Sequence, residues 1–126
     1  MKSIQYIQLL SVVFFTSIFQ GALQAQEYKI IVGTYTQNTE SKGVYVLNIQ
    51  PEKKKYAISD IAGGIQNPGY LVISKDKKNV YVASEFSDKS KIIAYQLDRK
   101  TGKLNFLNSV STDGIDPCFI DASKKN

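Results

Sequence analysis

The chain contains no histidine and one cysteine, Cys118. Protein zinc sites are built chiefly from several Cys and His ligands, so the composition argues against zinc. No other cofactor is called for. One cysteine also excludes an internal disulfide, and a lone thiol is expected to be buried. Arginine is nearly missing too: Arg99 is the only one among 126 residues. Aromatic residues do not interleave with the basic ones at spacings that would suggest nucleic acid, so no nucleic-acid partner is expected. After Glu27 no segment shows sustained helical periodicity. The one long apolar run, Ile7 to Phe19, is shorter than the roughly 20 residues of a membrane-spanning helix.

That run has a second reading. Lys2 precedes it, and Gly21-Ala22-Leu23-Gln24-Ala25-Gln26 follows. A positive start, an apolar stretch and small residues make a secretory signal peptide, here residues 1–25, with cleavage after Ala25. A retained anchor is the alternative. Cleavage would leave residues 26–126 in the periplasm or outside the cell, with no stable membrane span. Without Lys2, fifteen basic residues stand against eleven acidic ones. The lysines gather at 53–55, 75–78 and 124–125, in turn-like stretches where they solvate loops. That reading is preferred to an acidic partner.

What the mature part does contain is a series of short β-like runs split by turn residues. They cover Tyr28 to Thr36, Gly43 to Ile49, Tyr56 to Ala62, Tyr70 to Ile73, Val80 to Ser84, Ile92 to Leu97 and Leu104 to Val110. The connections carry turn chemistry, as in Pro51-Glu52-Lys53, Gly63-Gly64 and Asp98-Arg99-Lys100-Thr101-Gly102. The fold class is all-β.

Sliding the chain over itself reveals a period. At an offset of 49, Asn67-Pro68-Gly69-Tyr70-Leu71 lies over Asp116-Pro117-Cys118-Phe119-Ile120. At an offset of 50, Val32-Gly33-Thr34 lies over Val82-Ala83-Ser84, and Tyr45-Val46-Leu47-Asn48 over Tyr95-Gln96-Leu97-Asp98. Four strands per period of this length is the signature of a β-propeller blade. A β-sandwich with accidental similarity is the rival. In the propeller register, residues 28–62 hold three strands of a first blade and lack its innermost one. Residues 70–110 form a complete blade, innermost strand first. Residues 116–126 begin another, with Phe119 opening its inner strand. Closed propellers often seal when the far end of the chain supplies a strand missing at the start. The sequence is therefore expected to be the N-terminal portion of a longer propeller.

Three stretches carry a resemblance: VGTYTQNTESKGVYVLNI, NPGYLVISKDKKNVYVASE and KIIAYQLDRKTGKLNFLNSVSTDGIDPCF. In this order they resemble the opening of the lactonase family of seven-bladed β-propellers, which includes the propeller type of 6-phosphogluconolactonase. The resemblance covers essentially all of residues 26–126. It implies an incomplete propeller of about two blades. It also implies hydrolysis of a small-molecule sugar lactone at the mouth of the central channel, where inner-strand starts and the loops after second strands meet.

Lactone opening needs a base to activate water and donors for the developing oxyanion. The resemblance makes Glu85, after the strand Val80 to Ser84, the candidate catalytic base or a hydroxyl ligand. An exposed strand-end glutamate is the plain alternative. Asn67, Tyr70, Asp116 and Phe119 are the candidate substrate-binding residues. Asp116 also has a simpler reading, as an Asp before Pro that caps a turn. Phe119 stands where the family often carries histidine, so an acid–base group is replaced by a ring that stacks or packs. A phosphorylated substrate would want an arginine fork, yet Arg99 falls in a turn away from that mouth. Two function classes stay open: an exported lactone hydrolase, with residues 26–126 alone inactive, and a non-catalytic propeller that binds or scaffolds.

Overall fold

The computed structural model describes residues 26–86 and 89–123. The expected signal peptide, residues 1–25, and the lysines at 124–125 lie outside the described residues. Seven strands follow in order: β1 (Tyr28–Gly33), β2 (Gly43–Gln50), β3 (Lys55–Gly63), β4 (Pro68–Ile73), β5 (Asn79–Ser84), β6 (Lys91–Leu97) and β7 (Leu104–Ser111). Each falls on a run read as β from sequence. β1 stops at Gly33 instead of reaching Thr36, because both the amide and the hydroxyl of Thr34 donate to the Gly43 carbonyl (3.0 and 2.7 Å). That closes the β1–β2 pair, and the chain then leaves the sheet. The Pro51-Glu52-Lys53 turn is a single 3₁₀ turn, ended by Lys54 at φ +49°.

The strands form two antiparallel meanders, β1-β2-β3 and β4-β5-β6-β7, in which chain neighbours are sheet neighbours. Each sheet is bulged near its last strand. Ser59 in β3 has no partner on β2, and its hydroxyl donates to the Val46 carbonyl at 3.1 Å. Leu107 in β7 is skipped in the same way. A bulge adds twist to a sheet. Two hairpins are closed by aspartates. The Asp76 carboxylate accepts from the Ser74 hydroxyl and the Lys78 amide, and that of Asp98 from the Lys100 and Thr101 amides. Side-chain hydrogen bonds, from Ser74 to Asp76 and from Thr101 to Asp98, come first in holding both carboxyls below the ordinary range, and the amide bonds add to them.

The period-2 alternation decides which faces meet. Val44 and Val46 of β2 and Val80 and Val82 of β5 are 0% exposed. They form one cluster with Ile93, Tyr95 and Leu104 of the second sheet and Ile65 of the linker. Burying each such side chain contributes about 1.5–3 kcal/mol. The sheets stack with their strand orders aligned. At one edge β1 lies against β4 so closely that a Cβ on Gly33 would sit 2.3 Å from the Pro68 carbonyl oxygen. Glycine is needed there for room, since only a bare backbone allows that approach. At the other edge the Asp60 carboxylate of β3 accepts from the Leu104 amide of β7 at 2.7 Å. Residues 64–67 carry the chain from the outer strand of one sheet to the inner strand of the next, planting Ile65 in the core on the way. Consecutive meanders joined outer edge to inner edge make a blade stack. Among the described residues no helix is long and apolar enough to cross a membrane.

Two expectations differ from the structure. Residues 116–123 form no strand. An innermost strand pairs with the strand after it, and no residue beyond 123 is described. Cys118, expected to be buried, is exposed. Its segment runs over the surface, and its thiol donates to the Asp116 carbonyl at 3.1 Å.

Replacing Val82 by alanine should lower the unfolding free energy by about 2–3 kcal/mol in urea titrations. Asp60→Ala, which orphans a buried amide, should cost about 1–3 kcal/mol, with Asp60→Asn recovering most of the loss.

Candidate functional site

The inner edges of both sheets end on the same side of the stack, where Gly33, Pro68 and Ser84 lie close together. Asn67 organises this corner. It sits at φ +40°, a left-handed conformation that asparagine tolerates better than most residues. Its Oδ1 accepts from the amides of Thr36 (3.1 Å) and Gln37 (3.0 Å), and its Nδ2 donates to Gln37 Oε1 (3.3 Å). Its own amide donates to the Thr36 hydroxyl, and its carbonyl accepts from the Glu85 amide (both 3.1 Å). The buried side chain of Asn67 thus fastens the loop after β1 to the start of β4, and its backbone carbonyl fastens the residue after β5.

The clasp brings Tyr35 to Glu85. The Tyr35 hydroxyl donates to Glu85 Oε2 at 2.5 Å, across fifty positions of sequence. The other carboxylate oxygen lies over Gly69, where an added Cβ would stand 1.7 Å from Oε1. Beside them Tyr70 and Phe119 stack in a tilted pair, centroids 4.9 Å apart at 53°. Phe119 is 68% and Tyr35 55% exposed, so both rings face solvent.

A second clasp repeats the logic one blade on. Ser90, buried, accepts at Oγ from the Phe86 and Asp116 amides (3.1 and 3.0 Å). Its carbonyl accepts from the Thr112 amide and hydroxyl (both 3.2 Å). Asp116, like Asn67, precedes a proline and has positive φ, here +46°. The sequence period is thus visible in the backbone.

The electrostatics follow from this grouping. The hydrogen bond to Glu85 raises the Tyr35 phenol above the ordinary tyrosine range. The charge of Glu85 adds to this, then slight desolvation, then Cys118 and Asp116. Arg99 lies at the opposite end of the stack, in a cleft of about 650 Å³ with Tyr28, Lys29, Ile73, Lys75, Lys77 and Leu97. The five residues singled out from sequence thus fall at one end: Glu85 and Asp116 both raise the Tyr35 phenol, Tyr70 touches Phe119, and the Asn67 carbonyl accepts from the Glu85 amide. Tyr35 was missed. The offset of 50 that aligns Thr34 with Ser84 aligns Tyr35 with Glu85 one step later, which marks the two as equivalent positions of successive blades but not as a contact. Among the described residues no three Cys, Asp or Glu side chains converge as a metal would require.

With the geometry in place, comparison with known proteins is informative. Residues 29–126 match the family described as Lactonase, 7-bladed beta-propeller. The chain is 33% identical, over 95 residues, to the 6-phosphogluconolactonase of Bacillus subtilis (strain 168), covering 75% of this chain and 27% of that one. A crystal structure from Bacteroides fragilis, named as a candidate 6-phosphogluconolactonase, superposes with a TM-score of 0.73 at 34% identity. The match covers 84% of this chain and 29% of that one. A similarly named structure from Bacteroides uniformis gives 0.70 at 37% identity, over 76% and 28%. The chain therefore spans under a third of the length of these relatives.

Asn67→Ala removes an acceptor of two amides and a residue suited to positive φ. It should cost about 1–3 kcal/mol of stability and speed hydrogen exchange at the Thr36 and Gln37 amides. Asn67→Asp, which keeps Oδ1, should preserve their protection.

Proposed function

The chain belongs to the lactonase family of seven-bladed β-propellers, and from that premise we propose that the protein hydrolyses a sugar lactone with Glu85 as general base. The observation that carries this reading is the Tyr35–Glu85 pair. A carboxylate is held by a phenol and a clasped loop at the inner end of two blades, beside an exposed aromatic pair. Glu85 takes a proton from water as the water oxygen bonds to the lactone carbonyl carbon. The tetrahedral oxyanion then collapses, the ring C–O bond breaks, and the proton goes to the departing alkoxide. Asp116 accepts from substrate hydroxyls at the rim, and Tyr70 and Phe119 pack against the apolar face of the ring. Asn67, expected from sequence to bind substrate, is buried with its side chain bonded to Thr36 and Gln37, and it shapes the corner instead.

The carboxylates acting on Tyr35, Glu85 foremost, make this corner acidic, while Lys42 and Lys91 line a neighbouring pocket with Thr36 and Ser84. The acidic corner favours a neutral polyhydroxylated part of the lactone beside Glu85. The pattern of residues 1–25 supports export to the periplasm or beyond, where a cytoplasmic sugar phosphate is not met. A non-catalytic binding propeller is the second reading. It is favoured by Phe119, an exposed ring at a position where family members often carry histidine.

The test compares hydrolysis of glucono-1,5-lactone and its 6-phosphate by the full-length protein and by Glu85→Gln. Loss of a general base should lower kcat by about 10²–10⁴-fold. Unchanged hydrolysis would exclude Glu85 as the base, and no hydrolysis by the parent protein would favour the binding reading. Residues 26–126 alone should show no hydrolysis above buffer, because a channel mouth is walled by all the blades around it.

A further inference from the structure

Gly69 stands at the inner-strand start of the second sheet, at a position where the β4–β5 register shifts. Unlike Gly43, Gly64 and Gly102, it is not among the residues with positive φ, so its backbone does not demand glycine. What excludes a side chain is the Glu85 carboxylate. A Cβ would fall 1.7 Å from Oε1, 2.6 Å from the carboxyl carbon and 3.2 Å from Oε2. On its far side the same carboxylate receives the Tyr35 hydroxyl through Oε2. Tyr35 in turn sits one residue before Thr36, whose amide and hydroxyl are fixed by Asn67.

We infer that Gly69 is a seat kept bare for the Glu85 carboxylate, and that Tyr35 is a positioning residue that holds the carboxylate in it. The inference rests on the lactonase reading only for what the carboxylate does; the seat itself is a matter of packing. A glutamate at a strand end has three rotatable bonds, and in water it samples many rotamers. Here one oxygen is fixed by a phenol and the other lies against bare backbone. The carboxylate is thus ordered before any substrate arrives, which is what a base needs. The arrangement also spans the blade boundary. Tyr35 comes from the first sheet and Glu85 and Gly69 from the second, so the base keeps its place only while the two sheets keep theirs.

Gly69→Ala is a sharp probe, since its methyl meets the movable end of a side chain and not backbone. It should displace the carboxylate and break the Tyr35 bond. The readout is the titration of Tyr35, followed by NMR in protein labelled at the tyrosine ring carbon and assigned through Tyr35→Phe. Among the described residues, the groups that shift this phenol are Glu85, Asp116 and Cys118. In the parent protein Tyr35 should ionise at higher pH than other exposed tyrosines. In Gly69→Ala, and equally in Glu85→Gln, it should move down toward them. In Gly63→Ala, whose added Cβ would meet nothing nearer than the Lys42 carbonyl oxygen at 3.6 Å, it should stay put. An unmoved Tyr35 in Gly69→Ala overturns the seat.

If Gly69→Ala folds poorly, stability decides instead. The penalty of the methyl should vanish in a Glu85→Ala background, and an equal penalty in both backgrounds overturns the proposal. Lactone hydrolysis is scored separately. A lowered Tyr35 titration with unaltered hydrolysis would sustain the seat while removing the catalytic role of Glu85.

Discussion

The side-chain amide of Asn67 is the interaction on which the rest of the site depends. A loop leaving a strand edge has backbone amides with no ladder partner, and buried amides without acceptors are costly. Asn67 supplies one oxygen to two of them, Thr36 and Gln37, while its own carbonyl takes the amide of Glu85. The geometry exists because Asn67 adopts a positive φ immediately before Pro68. Proline then fixes the entry into β4, and Gly33 lets β1 approach that entry. Three local features of sequence, an asparagine, a proline and a distant glycine, thus converge on one corner. Tyr35 and Glu85 meet there as a consequence.

Most of the fold was legible in the sequence because it rests on local rules. Alternating valines in β2 and β5 read as half-buried strands, and they are. Pro51 and Asp98 read as turn residues, and each closes or starts one. The period read from Asn67-Pro68 and Asp116-Pro117 reappears as two residues of positive φ followed by proline. The site was legible only in part. Glu85 was visible as a polar residue at the end of an apolar strand, but its partner was not. A hydrogen bond between residues 35 and 85 depends on how two sheets stack, which no local pattern encodes. Cys118 was misjudged for a related reason. Burial follows from neighbours, and its segment has few.

The two ends of the stack differ in chemistry. At the inner end beside Asn67 the carboxylates of Glu85 and Asp116 act on Tyr35, with Lys42 and Lys91 in a neighbouring pocket. At the far end Arg99 shares a cleft with three lysines and Glu27. The lactone group itself is uncharged, and on the proposed reaction its hydrolysis uses a base to take a proton from water, a role an ordered carboxylate at the first end can fill. Oriented carboxylates work best when they need no reorganisation on binding. The Tyr35 bond and the bare Gly69 backbone provide that order within the two blades described.

On the proposed function, the lactone sits at the inner mouth against Glu85. A crystal structure of the full-length protein with a bound aldonic acid product tests it most directly. The account predicts a product oxygen at about 2.6–3.2 Å from a Glu85 carboxylate oxygen, or one water away, with the sugar carbons against Phe119. A product bound at the Arg99 end, with Glu85 facing open solvent, would contradict it.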